Sequence, residues 1–182
     1  MVEIIFEAHG TTFDNEAKIA SGWNDVGLSD LGKIQAGDLG EHHAKDDFDA
    51  IFCSDLKRAY ETAEIAFKNR DTKIIRDAGL RECDYGDMTG SSEEKVKLEK
   101  PNRVFEPFPN GESYEQTSER MKKFLLDLLR DYNGKKVMII GHRATQYGLE
   151  HWLKNIPLKE AVIAPWQWQP GWKYSLEKIA RD

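Results

Sequence analysis

The stretch Lys136-Val137-Met138-Ile139-Ile140-Gly141-His142-Arg143 decides how this chain is read. Val137 to Ile140 form an unbroken apolar run. A strand with one wet face alternates apolar and polar residues, so a run without alternation is buried on both faces, as in the centre of a parallel sheet. Gly141 closes the run, His142 and Arg143 follow at once, and a helix is expected from Ala144 to about Lys154. Moving outward, Val2 to Phe6 is a second strand signal, ending at Ala8-His9-Gly10-Thr11-Thr12. Phe48 to Cys53 is a third. Ser54-Asp55 opens the helix behind it, with Leu56, Tyr60, Ala63, Ile65 and Phe67 on its buried face. Lys73 to Ile75 is a short fourth strand. The tail holds Trp166, Trp168, Trp172 and Tyr174 and is expected to supply an edge strand; for its tryptophans, sheet packing and a homodimer contact are both open.

Between the strands, Asp14 to Ser29 reads as a loop. Ser29 then caps a helix with Leu31, Ile34, Gln35 and Leu39 at helical spacing. Residues 79–113 are loop-like, with a short helix within Glu93 to Lys100, after which Pro101, Pro107 and Pro109 exclude regular helix. Ser113 to Tyr132 is the clearest helix, with Met121, Phe124, Leu125, Leu128 and Leu129 at core spacing. Strands alternating with helices imply an α/β sandwich with a mostly parallel sheet, folded as a single domain over residues 1–182.

The bulk numbers narrow the function. Of 182 residues, 40% are hydrophobic and 32% charged, which is a globular mix rather than a disordered or membrane-embedded one. No apolar run reaches membrane-spanning length, and no signal peptide is visible, so a cytoplasmic protein is expected. Cys53 and Cys83 are read as reduced, structural thiols. The net charge of −6 argues against nucleic acid or a membrane surface as partner. A phosphorylated ligand would have to be held by a few local cations.

Ligands of such sheets sit at the carboxyl ends of the strands. His9, Ser54 with Arg58, and His142 all follow strands, so three separate stretches aim polar residues at one rim. Gly10 lets the backbone beside His9 turn tightly. A neutral, aimed imidazole is a good nucleophile toward phosphorus, and a second imidazole can stabilise charge on the equatorial oxygens. Arg58 can fork two phosphate oxygens. Glu82 can give a proton to a leaving alkoxide, with a surface salt bridge as the bland alternative. The adjacent pair His42-His43 cannot easily present both rings to one metal and is read as solvated. His151 is read as packing or surface.

Taken together, these motifs resemble those of the histidine phosphatase superfamily, also called phosphoglycerate mutase-like. The resemblance covers roughly residues 2–155 in the right order. Ala8-His9-Gly10-Thr11-Thr12 with Asn15 resembles the opening Arg-His-Gly-Glu-Thr motif and its following Asn. Leu28-Ser29 with Gly32 and Gln35-Ala36 is similar to the segment after it. Ser54-Asp55-Leu56-Lys57-Arg58-Ala59 with Thr62-Ala63 is similar to the Ser-x-Leu-x-Arg-Ala segment. Glu82 with Gly86 and Gly90 resembles the acid-bearing loop, Gly111-Glu112-Ser113 the usual Gly-Glu-Ser, and Gly141-His142 the second-histidine motif. The resemblance implies a three-layer α/β/α sandwich and a metal-independent phosphomonoester hydrolase. His9 would be the phosphorylated nucleophile, Glu82 the proton donor, and Arg58 and His142 pocket residues. Asn15 and the backbone after His142 would assist. It implies no cofactor and no metal, and as ligand a small phosphorylated substrate or inorganic phosphate. A phosphoglycerate mutase-type phosphotransferase, or an impaired phospho-ligand or partner-binding module, are the alternatives.

Two positions depart from the motif. Ala8 stands where the family has a phosphate-clamping Arg, and Thr11 where a Glu is common. Arg143, where the family is usually small, is expected to supply the missing guanidinium; the competing reading has it in solvent or paired with Glu7 or Glu82. Only about 20 residues separate Gly90 from Gly111, which is short for a mutase lid and favours hydrolysis by water. Specificity is expected from Ser91 to Asn110 and from the tail. Trp23, Phe105 and Phe108 line an apolar mouth or belong to the core.

Overall fold

The computed structural model describes residues 1–179. In chain order the elements are β1 (Val2–Ala8), α1 (Phe13–Glu16), α2 (Asp30–His42), β2 (Ala50–Ser54), α3 (Lys57–Ala66), β3 (Ile74–Asp77), α4 (Glu93–Glu99), α5 (Tyr114–Asp131), β4 (Lys136–Gly141), α6 (Arg143–Lys154), α7 (Leu158–Ile163) and β5 (Trp172–Leu176), with short 3-10 turns between them. The strands form one sheet in the order β3-β2-β4-β1-β5. All neighbours pair parallel except β5, which runs antiparallel to β1. β4 lies in the middle, and Val137 to Ile140 are fully buried, as their unbroken apolar run requires.

Alternation along the strands divides the core. Ile4, Phe6, Phe52, Val137 and Ile139 face one side, where Met121, Phe124, Leu125 and Leu128 of α5 and Leu149 of α6 cover them. Ile5, Ile51, Cys53, Met138 and Ile140 face the other, against Ala59 and Ala63 of α3, with Leu39 of α2 at its edge. The result is a three-layer α/β/α sandwich. The expected tail strand is β5: Trp172 is buried and packs on Phe6 with ring centroids 5.7 Å apart. Both cysteines are buried free thiols; burial pushes the Cys53 thiol up to about 12 and the Cys83 thiol higher still, so both are inert packing groups. No helix among the described residues is long and apolar enough to cross a membrane.

Three expectations need correction, and one that stood open is resolved. The loop after His9 contains α1, because Thr12 Oγ1 accepts from the Asn15 backbone N–H while the Asn15 side chain accepts from the Thr12 N–H, closing a capping box. In α2, Leu31 and Ile34 are exposed and the buried residues are Gly32 and Ala36. The buried face is made of small residues because backbone crosses it closely: a Cβ on Gly32 would stand 1.9 Å from the Thr11 carbonyl oxygen. Phe105 is exposed, whereas Phe108 is core, packed on Tyr85 and Tyr114.

Finally, only His42 of the adjacent histidine pair is solvated. His43 is 3% exposed and bridges two carboxylates, Glu7 through Nε2 and Asp46 through Nδ1, each at 2.8 Å. Burial alone would lower its pKa, but the hydrogen bonds and charges of Glu7 and Asp46 outweigh burial and raise it. The Gly171 N–H donates to the same Glu7 oxygen, so this pair also ties down the chain entering β5.

Candidate active site

Parallel pairing of β1 with β4 puts Ala8 abreast of Gly141, and the His9 N–H extends the ladder by donating to the Gly141 carbonyl at 3.1 Å. The next residues in that register are His9 and His142. Their imidazole centroids stand 5.0 Å apart, tilted by 58°. The two histidines lie 133 positions apart in the sequence and meet because both strands stop at the same level.

His9 Nδ1 lies 2.7 Å from the Gly10 carbonyl oxygen. A carbonyl only accepts, so Nδ1 carries the proton and Nε2 keeps its lone pair. Burial, and then the Arg58 charge, lower the His9 pKa to about 3. The ring is therefore neutral at physiological pH. Gly10 lets the backbone beside His9 pass close to α2. Its N–H donates to Thr62 Oγ1, and a Cβ there would come within 2.5 Å of the Gly32 carbonyl oxygen. His142 is 1% exposed, and burial, then Arg58 and His9, hold its pKa well below the usual value. Both of its ring nitrogens lack a hydrogen-bond partner. A buried imidazole with neither nitrogen satisfied is costly unless a ligand supplies the partner.

Arg58, in the first turn of α3, is 2% exposed. Its Nη1 and Nη2 donate to the carbonyls of Asn24 and Gly22 at 3.1 and 2.8 Å, which fixes the fork without spending it on a carboxylate; Glu82, Asp14 and Asp25 act on its charge only through space. Glu82 is 8% exposed, and its Oε1 accepts from the Cys83 N–H at 2.8 Å. Its own carbonyl is held from two sides, by Trp23 Nε1 and by Arg120 Nη2, both at 2.7 Å.

These groups open onto one cavity of about 870 Å³, lined by His9, Arg58, Glu82, His142, Arg143 and Asn15 among others. Ala8 and Thr11 line it too. Trp23 does not line it: its indole lies under the Arg81 guanidinium and steadies the Glu82 loop from behind. Arg143 lies on the cavity wall but pairs with neither Glu7 nor Glu82. Its Nη1 donates to Gln146 Oε1 at 2.6 Å and its Nη2 to the Ala164 carbonyl at 3.3 Å. The guanidinium sits over the rings of Tyr147 and Trp166, 4.8 and 5.9 Å from their centroids. Sequence reasoning missed Lys18, Lys97 and Lys100, which also face the cavity, and Arg120, which holds the Glu82 loop from α5. Arg120 is paired with Glu112, eight residues earlier, but the carbonyls of Gly79, Arg81 and Glu82 that it holds lie 38 to 41 residues away, and no local pattern signals them. Among the described residues no group of acidic, histidine and cysteine side chains could hold a metal.

Comparison with known proteins identifies the family. The model of the histidine phosphatase superfamily (branch 1) matches residues 4–167, and the chain belongs to that family. An uncharacterised phosphatase, PhoE, of Bacillus subtilis (strain 168) is 32% identical over 82% of this chain and 76% of its own. A 2,3-bisphosphoglycerate-dependent phosphoglycerate mutase of Allorhizobium ampelinum is 33% identical over 76% of this chain and 73% of its own. Among solved structures, Bacillus stearothermophilus YhfR superimposes with a TM-score of 0.81 at 26% identity, covering 92% of this chain and 87% of that one. The relatives are thus phosphatases and mutases of one fold.

Proposed function

We propose that the protein is a metal-independent phosphomonoester hydrolase that works through a phosphohistidine on His9. The observation that carries this reading is the pair of imidazoles at the ends of β1 and β4: His9, half-buried, with Nδ1 on the Gly10 carbonyl and its Nε2 lone pair free, and His142, buried with neither nitrogen satisfied.

In the first step the His9 Nε2 lone pair attacks phosphorus and the bond from phosphorus to the ester oxygen breaks. Glu82, in its acid form, gives its proton to the departing alkoxide. Arg58, one His142 N–H and the amino end of α6 stabilise the charge on the equatorial oxygens. In the second step water attacks the phosphorylated imidazole, Glu82 takes the proton from that water, and inorganic phosphate leaves. Splitting one displacement into two is the general advantage of a covalent route. Asn15 serves by position: its side-chain oxygen accepts from the Thr12 N–H to cap α1, and its side-chain N–H donates to Glu93 at 3.4 Å, both residues lining the cavity. The substrate is a small phosphorylated molecule. Hydrolysis is favoured over transfer because the short segment between Gly90 and Gly111 contributes to the cavity wall through α4 and the turn after it, from Glu93 to Pro101.

Hydrolysis of para-nitrophenyl phosphate tests the reading. His9→Ala is expected to lower kcat by at least about 1000-fold and His142→Ala by about 100-fold, with unchanged circular dichroism. Turnover within a few-fold of the parent in His9→Ala would refute it.

A further inference from the structure

The cavity holds more positive charge than a single phosphoryl group requires. Lys18, Arg58, Lys97, Lys100 and Arg143 line it, against Glu82 and Glu93. The chain as a whole carries −6, so the local balance is reversed. Most arginines elsewhere are matched to carboxylates, as in Arg76–Glu64, Arg81–Asp55, Arg103–Glu99 and Arg120–Glu112. Arg143 instead meets a neutral amide and a carbonyl, and Lys100 meets the Tyr147 hydroxyl at 3.0 Å. These two cations flank one ring: Arg143 lies 4.8 Å and Lys100 5.5 Å from the Tyr147 centroid. They form a continuous wall from the turn after α4 to α6, and Arg143 extends it to Trp166.

Two of the five N–H donors of Arg143 are spent on Gln146 and Ala164, and both hold the fork in place. The remaining donors stay available in a half-buried setting, where a charge-assisted pair is stronger than in open water. The fork is drawn toward α7 and Trp166, whereas the nucleophile, His142 and Arg58 sit at the strand ends. The wall is therefore placed for the part of the substrate that leaves.

Building on the phosphohydrolase reading, we infer that Arg143 and Lys100 select phosphomonoesters whose leaving group carries a second oxyanion, a carboxylate or a second phosphate. Arg143 is then a specificity-determining residue for the alcohol half of the substrate, and not a stand-in for the missing clamp at position 8.

Binding of non-hydrolysable phosphonates, measured by calorimetry, tests this independently of turnover. The probes are ω-phosphonoalkanoates of increasing chain length, their neutral amides, and the matching α,ω-bisphosphonates. At the best chain length the wild-type protein should bind the carboxylate or the bisphosphonate at least about tenfold more tightly than the amide. The bisphosphonate arm decides which oxyanion fits. That ratio should fall toward one in Arg143→Gln and, as a second variant at the other end of the wall, in Lys100→Met. Equal wild-type affinity for charged and neutral probes overturns the inference. So does an Arg143→Gln variant that weakens both alike, since the guanidinium would then serve the phosphoryl end. Absence of ester hydrolysis with the ratio intact would count against the hydrolase reading alone.

Discussion

Three histidines in this molecule are pushed in opposite directions by their neighbours. His9 and His142 meet burial and the Arg58 cation, which favour the neutral ring. His43 meets two carboxylates, which favour the charged one. The signs of their linkage to stability are opposite as well. The unfolded chain binds a proton at position 9 below about pH 6.5, whereas the folded chain resists it until about 3, so His9 costs stability as pH falls through that window. His43 has a raised folded pKa; its contribution is complete below its unfolded value and fades as pH rises through the folded one. Removing one member of a buried pair typically costs about 3 kcal/mol. His43→Gln should therefore destabilise more at about pH 6 than at about pH 9, as read by urea melts, and equal losses at both would contradict the pairing. The imidazole of His9 needs no deprotonation near neutrality. The acid limb of kcat/KM between about pH 5 and 7 should accordingly not follow His9, which is already neutral there.

At the scale of elements, the apolar runs of β1, β2 and β4 and the buried face of α5 were legible because each is local: a run of apolar residues in the strands, and Met121, Phe124, Leu125 and Leu128 at helical spacing. The rim arrangement of His9, Arg58 and His142 followed from knowing only where strands end. What escaped was set by contacts between distant segments. His43 looked like half of an exposed pair because Glu7, its partner, is 36 residues earlier. Trp23 looked like a mouth residue, yet it braces Glu82, 59 residues on. The small face of α2 carried a pattern that apolar spacing alone misread, since Gly32 is there for the backbone of Thr11. Gly32→Ala forces that crossing apart and should cost about 1–3 kcal/mol in a denaturant melt. It should also lower kcat/KM for aryl phosphates, because the shifted loop carries His9. A variant as stable and active as the parent would mean that the crossing has room.

For the whole molecule, a negative protein must draw an anionic substrate to one positive cavity against its own field. Raising ionic strength should leave kcat for para-nitrophenyl phosphate nearly constant while changing KM, since the affected charges act on encounter and binding. Ala8 lines the cavity beside the nucleophile. If the family's clamp belongs there, Ala8→Arg should raise kcat/KM by at least about 30-fold; a fall would mean that the cavity is already complete without it. A chelator should leave turnover unchanged, since the proposed route through His9 calls for no metal; loss of turnover on chelation would contradict that route.

The central claim is that a covalent bond forms between His9 and phosphorus during turnover. Rapid quenching in alkali during hydrolysis of an aryl phosphate, followed by peptide mass spectrometry, tests it most directly. An acid-labile phosphoryl adduct should appear on the peptide carrying His9 and vanish in a folded His9→Ala variant. Steady turnover with no adduct at any quench time, or an adduct confined to another side chain, would contradict the account.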